Sequence, residues 1–180
     1  MQDAPVGSSL RIREVRSPAD RALVRALFLE YAQEVDVDLS KQGFHQEVQS
    51  LPGEYAPPRG RLWLASMGRS VAGCVALRPL TPRTGEVKRL FVSPPFRAQG
   101  TGRALMERLV STARRLGYAR VRLDTLPSMT KARRLYAEMG FRPIPAYYRS
   151  PFAGTTYLEL DLTESRRRLN RPAREPTISS

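Results

Sequence analysis

One cysteine, Cys74, and one histidine, His45, stand in a chain of 180 residues. A single thiol excludes an intramolecular disulfide and any multi-cysteine metal site and suits a reducing compartment. A lone histidine excludes a histidine-rich zinc site, so no metal is expected. Long apolar runs are missing as well. The longest stretch free of Asp, Glu, Lys and Arg covers residues 150–158, nine by subtraction, where a membrane-spanning helix needs roughly 20 apolar residues. Residues 1–10 hold no basic patch followed by an apolar run, so they do not read as a secretory signal, and the cytoplasm is the default location. No internal repeat is visible, and nothing bears on oligomeric state. What the chain does have is 41% hydrophobic residues. That is enough for one core, which favours one domain, with or without a tail, over a fibrous or disordered chain.

Charge of one sign is in excess: 30 basic against 17 acidic residues give +13, an imbalance that points to a partner bearing phosphates or an anionic surface. Its distribution says more. Residues 86–122 hold nine basic side chains against Glu86 and Glu107, a local +7, whereas residues 30–60 hold Glu30, Glu34, Asp36, Asp38, Glu47 and Glu54 against Lys41 and Arg59, a local −4. The chain thus offers one region to an anion and another to a cation. A protein that only coats DNA needs no such acidic block.

Local patterns predict the elements. Leu10, Ile12 and Glu14 alternate with Arg11, Arg13 and Val15 in a first strand over 10–16. Ser17 then caps a helix with Pro18 at its first position and Asp20 three residues after the cap, and Leu23, Val24, Leu27, Phe28 and Tyr31 recur at helical spacing. Residues 36–60 are irregular, with a short helix over 44–51 and a proline-rich loop over 51–58. Strands over 61–67 and 71–77 flank the hairpin turn Gly68-Arg69-Ser70, a second turn spans 79–85, and a third strand over 86–92 stops at Pro94-Pro95. A helix over 100–116 carries the stripe Leu105, Leu109, Ala113, Leu116 and ends at Gly117. Strand 119–125, helix 128–139 closed by Gly140, and strand 155–162 complete a mixed α/β arrangement around one sheet. Residues 163–180, with five arginines, predict a basic, disordered tail, and residues 1–9 a flexible N-terminus.

The turn between the third strand and the next helix reads Arg97-Ala98-Gln99-Gly100-Thr101-Gly102. Two glycines at a helix N-terminus let a ligand approach amides that lack intrahelical partners, where the helix dipole favours negative charge. The same residues also suit an ordinary turn whose glycines merely permit the bend. Neither a phosphate-loop lysine nor dinucleotide-fold glycine spacing is present.

From Glu86 to Phe141 the chain resembles the GNAT superfamily of N-acetyltransferases. The resemblance rests on Arg97, Gly100 and Gly102 at this turn, on the preceding apolar strand Leu90-Phe91-Val92, and on Leu135-Tyr136 followed by Gly140-Phe141. It implies a GNAT-type fold over residues 10–162, a central mixed but mostly antiparallel sheet with helices on both faces, with acetyl-CoA as co-substrate. Amides of Gln99, Gly100, Thr101 and Gly102, with Ala98 in the same loop, would hold the pyrophosphate, Arg97 would add charge, and the Leu90–Val92 main chain would pair with the pantetheine arm. A peptide N–H there could polarise the thioester carbonyl. One departure is Met129, where the family often carries asparagine.

An alkylamine with pKa ~10.4 is protonated at neutral pH, so acetylating it needs a base. The resemblance assigns that role to Glu86 and the role of acid for the departing thiolate to Tyr136. On the residues alone, Glu86 could instead be a strand-end carboxylate paired with Lys88 or Arg89. Tyr136 could be core, since Ala132, Leu135, Tyr136 and Met139 form one helical stripe. Cys74 reads as a buried small hydrophobe and His45 as a solvated side chain. Tyr31, Glu34, Tyr147 and Tyr148 are candidates for the acceptor pocket, and the acidic segment as a whole predicts an acceptor with extra positive charge, unless its carboxylates only solvate a helix end and loop. The expected activity is acetyl transfer to a primary amine, a small molecule rather than a protein, by direct attack in a ternary complex. The alternative is a basic nucleic-acid-binding or non-catalytic CoA-binding protein.

Overall fold

The computed structural model of the chain describes residues 9–163. The expected flexible N-terminus and basic tail lie outside these, apart from residues 9 and 163. Strand β1 (Leu10–Glu14) leads into helix α1 (Pro18–Glu34). The start of α1 follows its sequence: the Asp20 amide donates to Ser17 Oγ at 3.0 Å and the Ser17 amide to the Asp20 carboxylate at 3.3 Å, a closed capping box. The irregular stretch holds two 3₁₀ turns (Leu39–Gln42 and Gly53–Tyr55) around a short helix, α2 (Phe44–Gln49). Strands β2 (Arg61–Met67), β3 (Ser70–Thr81) and β4 (Thr84–Val92) form a meander, and a 3₁₀ turn at Pro94–Phe96 leads to helix α3 (Thr101–Arg115). Strand β5 (Arg120–Thr125), helix α4 (Thr130–Glu138), strand β6 (Arg142–Ile144) and strand β7 (Thr156–Asp161) follow.

The seven strands lie in the order β1-β2-β3-β4-β5-β7-β6, with β4 and β5 parallel and every other pair antiparallel. Two departures from the sequence reading have plain causes. The turn expected over 79–85 shrinks to Pro82-Arg83, because the long β3 tolerates Pro79 next to a register irregularity. The unexpected β6 is three residues long and carries Pro143, which an edge strand accommodates.

Both faces of the sheet are covered. Along β3, Ala72, Val75 and Leu77 join a core formed with Leu105, Met106 and Leu109 of α3 and Tyr136 of α4. Cys74 and Ala76 join the opposite core with Val24, Leu27 and Phe28 of α1 and Phe44 and Val48 of α2. A strand buried on both faces reads as an unbroken apolar run, which is what residues 71–77 show.

Two irregularities in the sheet create the site. β4 and β5 pair only from Thr84↔Arg120 to Glu86↔Arg122 and then diverge, leaving the β5-facing edge of β4 beyond Glu86 without a strand partner. On its other edge β4 carries a bulge, since Cys74 faces Phe91 but Ala76 faces Lys88. Arg89 occupies the bulge at φ +56°, a left-handed conformation costly for a residue with a Cβ.

Candidate active site

The divergence of β4 and β5 opens a cleft between Val87 and Leu90 on one side and Leu123 and Asp124 on the other, with Met129, Ala132 and Tyr136 of the α4 region and Tyr31 of α1 completing its walls. Next to it, sharing Gln42, Lys88 and Arg89, is a second pocket bounded by Glu47, Arg78, Glu86, Tyr147 and Tyr148. The Leu90 and Val92 side chains turn to the α3 face, and Phe91 packs on the α1 face edge-on to Tyr31 at 5.9 Å.

At the mouth of the cleft the chain turns into α3. Ala98 (φ +58°) and Gly100 (φ +78°) both take left-handed conformations, and Gly100 is the N-cap residue. A Cβ on Gly100 would meet nothing within 4 Å, so glycine is needed there for its backbone freedom rather than for space. A Cβ on Gly102 would make ordinary contacts, 3.7 Å from both Leu135 and Val92. The amides of Gln99, Gly100, Thr101 and Gly102 find no acceptor among the described residues. Four orphan donors at a helix N-terminus, opening from a loop that side chains do not fill, fit a bound pyrophosphate. Arg97 is committed elsewhere: its Nε donates to the Val92 carbonyl at 2.8 Å and its guanidinium bonds Glu34 at 2.5 Å. Glu34, at the end of α1, is thereby tied to the turn before α3 and lines neither pocket.

Glu86 is 1% exposed. It lies opposite Arg78 in the β3–β4 register and accepts from Arg78 Nε at 2.6 Å and from the Tyr147 hydroxyl at 2.7 Å. The Arg78 guanidinium also bonds Glu54. Burial, and then the neighbouring Glu86 charge and hydrogen bond, push the Tyr147 phenol well above its ordinary range. Tyr147, Tyr148 and Tyr157 form a cluster with ring centroids 5.3–5.4 Å apart. Burial first and the nearby Asp124 charge second push the Tyr148 phenol up; its buried hydroxyl meets no partner at full hydrogen-bond geometry among the described residues but lies close to the Asp124 carboxylate and Ser150. Tyr136 does two things. Its ring packs on Phe141 at 5.7 Å, and the residue lines the cleft, where burial raises its phenol well above the usual value.

Several residues of the site carried no signal of their own in the sequence. Asp124 bonds Lys88 at 3.0 Å between the diverging strands. The Arg89 side chain, at the bulge, donates to both Glu47 carboxylate oxygens at 2.7 and 3.0 Å and lies over the Tyr31 and Phe44 rings. Met129, in place of the family's frequent asparagine, lines the cleft and accepts from the Thr125 hydroxyl through sulfur at 3.7 Å. Cys74 is buried as expected. Its thiol donates to the Arg89 carbonyl at 3.6 Å, and burial raises it far above the ordinary thiol range.

The acidic segment does not form an open wall. Glu30 accepts from Ser93, Glu34 from Arg97, Asp38 from the Ser40 amide, Glu47 from Arg89 and Tyr55, and Glu54 from Arg78. Only Asp36, exposed on the loop, has no such bond.

Residues 22–141 match the model of the acetyltransferase (GNAT) family. An uncharacterised N-acetyltransferase of Schizosaccharomyces pombe is 33% identical over 159 residues, covering 87% of this chain and 98% of its own length. Among solved structures, a GNAT-family acetyltransferase of Staphylococcus aureus aligns with a TM-score of 0.72 at 19% identity over 86% of this chain and 99% of its own. An acetyltransferase of Salmonella typhimurium, solved with its cofactor acetyl-CoA, aligns with a TM-score of 0.63 at 19% identity over 93% of this chain and 98% of its own. Among the described residues no helix is long and apolar enough to cross a membrane. The family match spanning the cradle, the bulged strand and the cleft, together with the full-length relative, shows that this chain belongs to the GNAT family of N-acetyltransferases.

Proposed function

We propose that the chain transfers an acetyl group from acetyl-CoA to a primary amine by direct attack in a ternary complex. The observation that carries this reading is the seam where the cleft and the second pocket meet at Lys88 and Arg89. An acyl donor entering past the α3 amides and an amine entering past Tyr147 and Tyr148 would come together there. Acetyl-CoA, when bound, supplies a thioester carbon open to attack and a thiolate as leaving group.

The chain's own residues do the rest. Gln99 to Gly102 offer their amides to the pyrophosphate, and the unpaired β4 edge around Leu90 and Val92 offers main-chain groups to the amide-bearing arm. The bulge turns the main chain at Leu90 towards the cleft, where an N–H can meet charge developing on the acyl oxygen. Glu86 receives the amine proton through Tyr147, whose hydroxyl already donates to it: as the phenol gives up its proton to Glu86 it takes one from the nitrogen. Tyr136, which lines the cleft, is the proton donor for the thiolate.

The test is thiol release from acetyl-CoA with a panel of amines, alongside calorimetric CoA binding. Tyr147→Phe keeps the ring cluster and should lower kcat by about 10² with unchanged CoA affinity. Glu86→Gln should do the same, and Tyr147→Phe guards against the cost of breaking the buried pair with Arg78. Absence of CoA binding at millimolar concentration overturns the reading, and full activity in Tyr147→Phe removes the relay.

A further inference from the structure

The acceptor pocket is lined by more donors than acceptors. Five cationic side chains border it, Lys41, Arg78, Lys88, Arg89 and Arg149, against two carboxylates, Glu47 and Glu86. Ion pairs account for three of the five: Arg78 with Glu86 and Glu54, Lys88 with Asp124, and Arg89 with Glu47. The side chains of Lys41 and Arg149 are exposed at the pocket and have no ion-pair or hydrogen-bond partner among the described residues.

Both carboxylates of the pocket are already occupied. Glu86 accepts from Arg78 and Tyr147, and Glu47 accepts from Arg89 and Tyr55. Both carboxylates are engaged by the pocket's own donors, while Lys41, near Asp38, and Arg149 stand exposed at the pocket. Like charges at close range destabilise a polyamine there, whereas a group that accepts hydrogen bonds and carries negative charge can bond both exposed cations. This reverses the expectation drawn from the acidic segment, because folding consumes its carboxylates on arginines and on a helix cap.

Resting on the proposed acetyl transfer, we infer that the acceptor is an amine that also bears a carboxylate, of amino-acid type, with the carboxylate taken by Lys41 and Arg149. The amine end then points inward to the seam beside Glu86 and Tyr147. Lys41 and Arg149 are specificity residues in this arrangement and take no part in the chemistry.

The experiment uses the full chain with acetyl-CoA and the common amino acids, each compared with its α-carboxamide and its decarboxylated amine by thiol release. Product binding is measured separately, by calorimetry with CoA present, comparing N-acetyl amino acids with the N-acetylated decarboxylated amines. The carboxylate-bearing acceptors should have about tenfold higher kcat/KM than their uncharged partners. Lys41→Met and Arg149→Met should each reduce that ratio by raising KM for the amino acids, leaving the decarboxylated amines and CoA affinity unchanged.

Turnover that favours decarboxylated amines or polyamines, or a ratio unmoved in Lys41→Met/Arg149→Met, overturns the inference and leaves acetyl transfer standing. Binding of N-acetyl amino acids without turnover of any amine keeps the inference and overturns the proposed reaction. Binding of neither product class with CoA present overturns the inference.

Discussion

Replacing Glu47 by glutamine removes one charge and keeps the side chain's shape, so it isolates what the carboxylate does for Arg89 at the β4 bulge. The Arg89 side chain is 4% exposed and gives two hydrogen bonds to Glu47. A buried guanidinium stripped of its counter-charge costs about 3–5 kcal/mol, and the amide oxygen of glutamine keeps one acceptor, which places the loss near the lower end. With a urea m-value of ~2 kcal/mol/M, a loss of about 3 kcal/mol moves the midpoint down by about 1.5 M. The double variant Glu47→Gln/Arg89→Met removes both charges and keeps an amide oxygen for the Tyr55 hydroxyl, so most of the stability should return. Methionine at position 89 carries a Cβ like arginine, so the backbone cost of φ +56° is the same in both chains. The ion pair is also the link that ties the bulge to α2. The double variant should therefore regain its urea midpoint and still turn over slowly, because Leu90 next to the bulge is no longer held in place. Urea unfolding followed by far-UV circular dichroism, and kcat at saturating acetyl-CoA, read the two effects separately. A midpoint shift in Glu47→Gln worth less than about 1 kcal/mol, or a double variant as unstable as the single one, refutes the reasoning.

Three further outcomes are expected. Saturating CoA, at ~100 times its Kd, should stabilise the fold by about 2.7 kcal/mol and raise Tm by about 5–10 °C. Gly100→Val, strained at φ +78°, and Gly102→Val, which adds branched carbons beside the α3 amides, should lose that shift in a thermal-denaturation assay while remaining folded. Tyr136→Phe keeps the ring on Phe141 and should bind CoA normally while losing about 10² in kcat, so an unchanged kcat with a good acceptor would return Tyr136 to the core. Stability should fall in acid. Desolvation raises the Asp20 carboxyl, but Arg13 and the Arg16 and Ser17 amides outweigh it and hold its pKa at about 2, below the ordinary 3.8. For Glu47, burial is likewise outweighed, by the Arg89 hydrogen bonds and charge. A depressed folded pKa gives stability that is fully present above the unfolded value and lost as pH falls through the folded one. Urea midpoints should thus hold from pH 7 to about 4.5 and decline below it, and Asp20→Asn should flatten part of the decline between pH 4 and 2.

What the sequence determined by itself is the set of features built from near neighbours. The Ser17-Pro18-Asp20 start of α1, the Gly100 and Gly102 turn ahead of α3, the Gly117 and Gly140 stops, and the unbroken apolar run of β3 each depend on contacts within a few residues or on one repeating period. The elements they predict all form, with ends shifted by a few residues. The side chains that meet in the site are far apart in sequence: Tyr147 and Glu86 by 61 residues, Arg89 and Glu47 by 42, Arg97 and Glu34 by 63, Arg78 and Glu54 by 24. A charged residue looks the same in sequence whether it ends in water, on a neighbour or in a buried pair. The choice is made by strand register, by the bulge that swings Arg89 onto α2, and by the divergence of β5 that brings Asp124 to Lys88. For that reason the basic and acidic segments, read separately, suggested an open acidic wall for a cation. The tertiary structure instead ties Glu34, Glu47 and Glu54 to arginines, Glu30 to Ser93 and Asp38 to a helix cap, and sets Lys41 and Arg149 exposed at the second pocket.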